Sequence, residues 1–294
     1  MIFAKPEWKE VKMTTDTGYK IFNEDCMETM RNHIGKASVD IILTSPPYPT
    51  SNSFLTKKNA RNSNISTTDG NERKPTSYPH YKYDIFIENF TPDEYIEWSV
   101  NLFNCFDNVL RDNGVVLYNL SYSSKCSEVL PLVISNIIQR TNLTFVDMVC
   151  WKKPNTMHEY QTPNKLTRIF ELIYVFAKKQ SVTTHICNKP CKGTATGVNK
   201  KIYTYRENFI EAKNNDGVCK LNRATFSTEL CEKIIDLYAP MKGLTVYDPF
   251  NGTGTTGVAC KRLGMNYIGS EISDAQVKYS IERIEADDGI PKFV

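Results

Sequence analysis

Apolar residues follow two rhythms along the chain, short unbroken runs and 3-and-4 spacing, and the two alternate. Tyr19 to Phe22 reads as a short strand that ends in acidic residues before a helix-like run to Met30. Val39 to Leu43, apolar apart from Asp40, reads as a strand buried on both faces, and stops at Pro46-Pro47. Thr91 is a good N-cap with Pro92 at the first helical position; Trp98, Leu102, Phe106, Val109 and Leu110 then make one apolar face, ended by Asn113-Gly114. Residues 115–120 read as the next strand, and Val129, Leu130, Val133, Ile134, Ile137 and Ile138 predict a helix over 124–140. Strand-like runs follow at 145–151 and 169–177. After an interruption come a helix over 226–239 capped by Ser227 or Thr228, a strand over 244–250, a helix at 255–263, a strand at 266–271 and a last helix from 273. Strand alternating with helix predicts an α/β fold with a mainly parallel sheet. There are no internal repeats.

Two stretches break the rhythm. Residues 49–82 are rich in Ser, Thr, Asn, Lys and Pro, with order returning at about 90; a loop this long is functional or disordered. Residues 180–223 are polar and basic, which suggests a small inserted module. The 294 residues then divide into halves 1–179 and 224–294 of one domain around an insert at 180–223.

Composition narrows the class. With 40% apolar and 23% charged residues, the chain is neither collagen-like, fibrous nor fully disordered. No apolar run approaches the ~18 residues of a membrane helix, so no membrane association is expected. The opening MIFAKPEWKEVK has no signal-like apolar core, and a cytoplasmic location is expected. Nine scattered cysteines show no disulfide rhythm, and most read as small buried hydrophobes. His185, Cys187, Cys191 and Cys219 do not match a zinc spacing, so no metal is expected.

Net charge is only +3, but its distribution is uneven. Lys57, Lys58, Arg61, Arg73, Lys74 and Lys82 face only Asp69 and Glu72, and a second basic stretch runs from Lys189 to Arg223. These are DNA-facing loops or plain solvated ones.

The chemistry concentrates in a turn after the strand at 244–250. Asp248-Pro-Phe-Asn-Gly252-Thr-Gly254-Thr-Thr-Gly257 contains G-x-G-x-x-G between a strand and a helix, and Glu271 closes the next strand. A dinucleotide site uses such spacing, but so does any strand-glycine-helix unit that accommodates a nucleoside. Only about forty residues follow the turn, so the remaining strands must come from the N-terminal half. No P-loop Lys-Ser/Thr is present. A circularly permuted sheet fits this order better than a dinucleotide domain.

Thr44-Ser45-Pro46-Pro47-Tyr48, followed some 200 residues later by Asp248-Pro249-Phe250-x-Gly252-x-Gly254, resembles the DNA amino-methyltransferases of the β subgroup. The resemblance covers nearly the whole chain. It implies a circularly permuted Rossmann-like methyltransferase sheet with a small target-recognition insert. It also implies S-adenosylmethionine as cofactor and the exocyclic amine of cytosine or adenine in double-stranded DNA as target. The oligomeric state stays open, as does the presence of a cognate restriction endonuclease as partner. By the same resemblance, Phe250 and the backbone at Gly252 and Gly254 line the cofactor pocket with Thr44 beside them. Asp248 lies near the methionine amino group, and Glu271 receives the ribose hydroxyls. Asp25 and Cys26 match the family's Gly-Asp-Cys element near the adenine, with Glu24 in place of the glycine. Phe226 and Ser227 resemble the element that holds the cofactor's carboxylate end, and Trp151-Lys-Lys-Pro-Asn155 the segment opposite the catalytic loop; plain core packing is the alternative for Phe226 and Trp151.

Ser45, Pro46, Pro47 and Tyr48 are the expected catalytic residues. A base amine is a poor nucleophile because its lone pair is delocalised into the ring. Acceptors that grip its hydrogens favour a more tetrahedral nitrogen, and the Ser45 hydroxyl and Pro46 carbonyl are suitable. Tyr48 offers a face on which the flipped base stacks. Within the family a serine here is commoner in cytosine-N4 enzymes, which makes N4-cytosine the expectation and N6-adenine the runner-up. Rival readings are an RNA-directed enzyme of the same fold, a nicotinamide oxidoreductase, and a DNA-binding protein that has lost catalysis.

Overall fold

The computed structural model describes residues 9–11, 18–47, 90–121, 127–154, 156, 163–195, 200–217, 219, 221–222 and 225–291. In chain order the elements are β1 (Lys9–Val11), β2 (Tyr19–Phe22), α1 (Cys26–Asn32), β3 (Val39–Thr44), α2 (Pro92–Val109), β4 (Leu110–Asn119), α3 (Val129–Arg140), β5 (Leu143–Lys152) and β6 (Phe170–Lys178). They continue with β7 (Cys191–Ala195), β8 (Lys200–Tyr203), β9 (Phe209–Glu211), α4 (Thr228–Tyr238), β10 (Thr245–Asp248), α5 (Thr255–Leu263), β11 (Asn266–Ser270) and α6 (Asp274–Ala286).

Nine strands make one sheet in the order β1-β2-β11-β10-β3-β4-β6-β5-β9. Pairing is parallel from β2 to β4 and again between β5 and β9, and antiparallel at β1/β2 and where β6 enters between β4 and β5. The fold is thus the expected α/β architecture with a mainly parallel sheet. Both faces are covered. Ile41, Leu43, Val115 and Leu117 pack with Leu230, Ile234, Val258 and Ile284, from the helices α4, α5 and α6. Ile42, Val116 and Tyr118 face Met30, Phe103, Phe106, Val133 and Ile137, from α1, α2 and α3. Each such side chain contributes about 1.5–3 kcal/mol when withdrawn from water, which explains why β3 is apolar on both faces.

The N-terminus of α2 follows the expected chemistry. Glu94 N–H donates to Thr91 Oγ1 at 3.3 Å and the Thr91 N–H donates to Glu94 Oε2 at 2.7 Å, a reciprocal cap with Pro92 inside it. Its C-terminus differs from the expectation. α2 ends at Val109 and β4 begins at once, so Asn113-Gly114 lies within the strand. Gly114 is small there for another reason: a Cβ would stand 2.8 Å from the Asp40 carbonyl oxygen on β3. The third helix starts at Val129 rather than 124, after a turn at 127–128; residues 124–126 lie outside the described residues.

Within 180–223 the chain does two things. β7 and β8 form a separate antiparallel hairpin, whereas β9 adds to the edge of the main sheet beside β5. Ile210 and Ala212 are buried in the main core. Most of the 49–90 loop lies outside the described residues.

Candidate active site

The carboxyl ends of β2, β11, β10, β3 and β4 lie side by side. Between β10 and β3 the covering helix changes face, since α5 follows β10 on one side and α2 follows β3 on the other. Such a reversal leaves a crevice at the strand ends, where open α/β sheets bind ligands.

Thr44 and Asp248 meet across it. Thr44 Oγ1 donates to Asp248 Oδ1 at 3.2 Å, Thr256 Oγ1 donates to Oδ2 at 2.6 Å, and Phe250 N–H donates to Oδ1 at 3.0 Å. Asp248 is buried, and this desolvation pushes its pKa up to about 6 against the pull of those three donors. Glu271, one residue beyond β11, accepts from Gly252 N–H at 2.9 Å and from Ser273 N–H at 3.0 Å; burial raises its pKa too. Gly252 has φ +52° and Gly254 φ +78°, left-handed values that favour glycine. A Cβ on Gly252 would meet Asn222 Nδ2 at 3.3 Å, and one on Gly254 would stand 2.7 Å from the Ser280 Cβ of α6. The first glycine leaves the turn without a side chain, and the second lets α6 pack.

Asp25 and Cys26 follow β2. Asp25 caps α1, accepting from Met27 N–H at 2.9 Å, while the Cys26 carbonyl accepts from Tyr247 Oη at 3.3 Å. Ser227 caps α4 and donates to the Lys213 carbonyl at 2.7 Å. Phe226 meets the buried Trp151 edge-on at 6.0 Å, and Trp151 Nε1 donates to the Ala212 carbonyl at 3.0 Å. Both aromatics therefore pack in or against the core.

The Ser45-Pro46-Pro47 turn leaves β3 beside Asp248 and is held from two sides. Ser45 Oγ donates to Asn119 Oδ1 at 3.5 Å, and Tyr95 Oη donates to the Pro47 carbonyl at 3.1 Å. Tyr95 stacks on Trp98 at 5.5 Å, and Trp98 in turn lies 5.9 Å from Phe250, so one aromatic row joins the Ser45-Pro46-Pro47 turn to the glycine turn. Tyr48 lies outside the described residues.

A family model described as DNA methylase matches residues 39–282. The chain belongs to this family. Among its relatives is the Type II methyltransferase M2.MboI of Moraxella bovis, 25% identical over 265 residues that span 87% of this chain and 84% of that protein. Type II methyltransferase M2.DpnII of Streptococcus pneumoniae is also 25% identical, over 85% of this chain and 84% of its own. Among solved structures, the PvuII DNA methyltransferase (cytosine-N4-specific) superposes with a TM-score of 0.63 at 16% identity, covering 96% of this chain and 91% of its own. The M1.HpyAVI complex with S-adenosylmethionine gives 0.56 at 20% identity, over 90% and 99%. The protein is a DNA amino-methyltransferase, and S-adenosylmethionine is its cofactor.

The crevice fits that methylase cofactor chemically. Each Glu271 oxygen accepts one backbone N–H. A carboxylate has about four lone-pair sites, so acceptor capacity for ribose hydroxyls remains. Asp248 supplies a buried negative group for an ammonium. Among the described residues no helix is long and apolar enough to cross a membrane.

Asn119, Tyr95 and Asn251 went unread in the sequence. Asn251 accepts from Tyr267 Oη at 2.7 Å and donates to Ser280 Oγ at 3.0 Å, which ties the glycine turn to β11 and α6. A polar residue closing an apolar strand, as Asn119 closes β4, was the available signal.

Proposed function

We propose that this methylase transfers the methyl group to the N4 amine of a cytosine flipped out of duplex DNA. The observation that carries this reading is the position of the Ser45 hydroxyl. It stands at the end of β3, in the crevice beside Thr44 and Asp248, with its hydrogen donated to Asn119. An oxygen whose hydrogen points elsewhere accepts from an incoming amine. The Pro46 carbonyl is the second acceptor, on a turn stiffened by two prolines. Together they grip the amine hydrogens and aim the nitrogen lone pair. Serine rather than a carboxylate at this position favours cytosine, as the resemblance to the family's N4 enzymes implies.

Bound S-adenosylmethionine would supply an electrophilic methyl on a sulfonium, with the sulfur leaving as a neutral thioether and the amine's proton passing to solvent. Asp248 would pair with the cofactor's ammonium, Glu271 would accept from its ribose, and Asp25 with Cys26 would border its adenine. Thr44 and Phe250, which donate to Asp248, would line the same pocket, and Ser227 with Phe226 would close its carboxylate end. Positioning and electrostatics in a desolvated cleft then lower the barrier without a covalent intermediate.

The insert at 180–223 supplies the DNA contact in this reading. From Gln180 to Arg206 the chain carries five Lys and Arg and no acidic residue. The β7–β8 hairpin exposes Ile202, Tyr203 and the nearby Tyr205 among them. A two-stranded ribbon of this kind fits the major groove.

Ser45→Ala tests the proposal. Turnover should fall by about 10²-fold or more while S-adenosylmethionine affinity by calorimetry stays near wild type. Unchanged turnover would show that Ser45 is not the amine acceptor.

A further inference from the structure

Asn119 is the last residue of β4, in register with Ile173 of β6, and only 1% exposed. Its amide group is fixed at one end. Nδ2 donates to the Leu172 carbonyl at 3.2 Å, and a carbonyl can only accept, so the amide oxygen must face the other way. That oxygen faces Ser45 Oγ, 3.5 Å away.

We infer that Asn119 is a positioning residue for methyl transfer, fixing the Ser45 hydroxyl as an acceptor toward the target amine. This rests on the reading of Ser45 as amine acceptor and adds to it the group that orients it. A serine hydroxyl rotates readily and both donates and accepts. Left to rotate, it would also donate to the ring nitrogen beside the target amine, which withdraws electron density from the base. With the hydrogen drawn to Asn119, the oxygen's lone pairs turn toward the amine. The β4–β6 pairing thereby acts on the reaction through one amide, without touching base or cofactor. A hydrophobic residue at 119 would keep the strand but lose the orientation. An aspartate would set a carboxylate against the Leu172 carbonyl unless it carried a proton.

A double-mutant cycle with DNA and S-adenosylmethionine tests this. Asn119→Ala should lower kcat about tenfold and leave cofactor affinity and the KM for DNA near wild type. In the Ser45→Ala background the same substitution should change kcat by less than about twofold, because the group it acts through is gone. Two independent, multiplying losses would overturn the inference, as would a silent Asn119→Ala beside a crippled Ser45→Ala. A fully active Ser45→Ala would instead remove the amine-acceptor reading, and the inference with it. Should Asn119→Ala fail to bind cofactor, Asn119→Asp takes its place. Its kcat should rise toward acid pH, where the carboxyl is protonated and donates to Leu172, and a profile parallel to wild type would overturn the inference.

Discussion

At the scale of single residues, the carboxylate of Asp248 illustrates how burial and hydrogen bonding are balanced in this crevice. Desolvation dominates, Glu271 adds a smaller like-charge push, and the Asp248 pKa reaches about 6 despite Thr256, Phe250 and Thr44. Between about pH 4 and 6 the folded, cofactor-free protein therefore holds a proton that the unfolded chain has released. Stability from this group falls as pH rises through that window and stays lower above it. Asp248→Asn should flatten that part of the melting-temperature profile, and a slope equal to wild type would contradict the assignment. The proposed pairing of Asp248 with the cofactor's ammonium requires the ionised form. S-adenosylmethionine affinity in calorimetry should weaken as pH drops below about 6, with proton release on binding near that pH. Tyr95 acts on the other wall. Tyr95→Phe removes the donor to the Pro47 carbonyl and should lower kcat about five- to tenfold with little change in cofactor affinity.

Elements were legible in the sequence where one local rule decided them. The α2 start needed only Thr91, Pro92 and Glu94, and all three act as the capping rules require. β3 needed only an apolar run. The end of α2 was harder, since Gly114 looked like a helix stop yet is small because β4 passes close to Asp40. That contact lies 74 positions away in sequence, and no periodicity encodes it. The site divides the same way. Ser45, Asp248, Gly252 and Glu271 stand out through motif and spacing, whereas Asn119 and Tyr95 reach the Ser45-Pro46-Pro47 turn only through tertiary pairing. The glycine turn mixes both kinds. Gly254 is required by its φ of +78° and by Ser280 of α6, 2.7 Å from where a Cβ would stand. Gly254→Ala should destabilise the protein by at least about 2 kcal/mol in urea unfolding with an unchanged m-value. A loss below about 0.5 kcal/mol would show that α6 yields at this contact.

For the whole molecule, permutation is the organising fact. The Ser45-Pro46-Pro47 turn follows β3 in the first part of the chain and the glycine turn follows β10 in the last, yet β3 and β10 are parallel neighbours. Joining them places Thr44 beside Asp248 across 204 positions of sequence. The near-neutral net charge of +3 hides a basic ribbon at β7–β8. Reversing Lys192, Lys200 and Lys201 together to Glu should raise the KM for DNA at least tenfold and reduce its salt dependence, with cofactor affinity unchanged. An unaltered KM would move the DNA contact elsewhere. In the proposed function the Ser45 crevice methylates the N4 amine of cytosine. The most direct measurement digests DNA from cells expressing the protein and weighs the nucleosides, with a Ser45→Ala strain beside it. N4-methylcytosine that disappears in the Ser45→Ala strain is the predicted result. N6-methyladenine without N4-methylcytosine would contradict it.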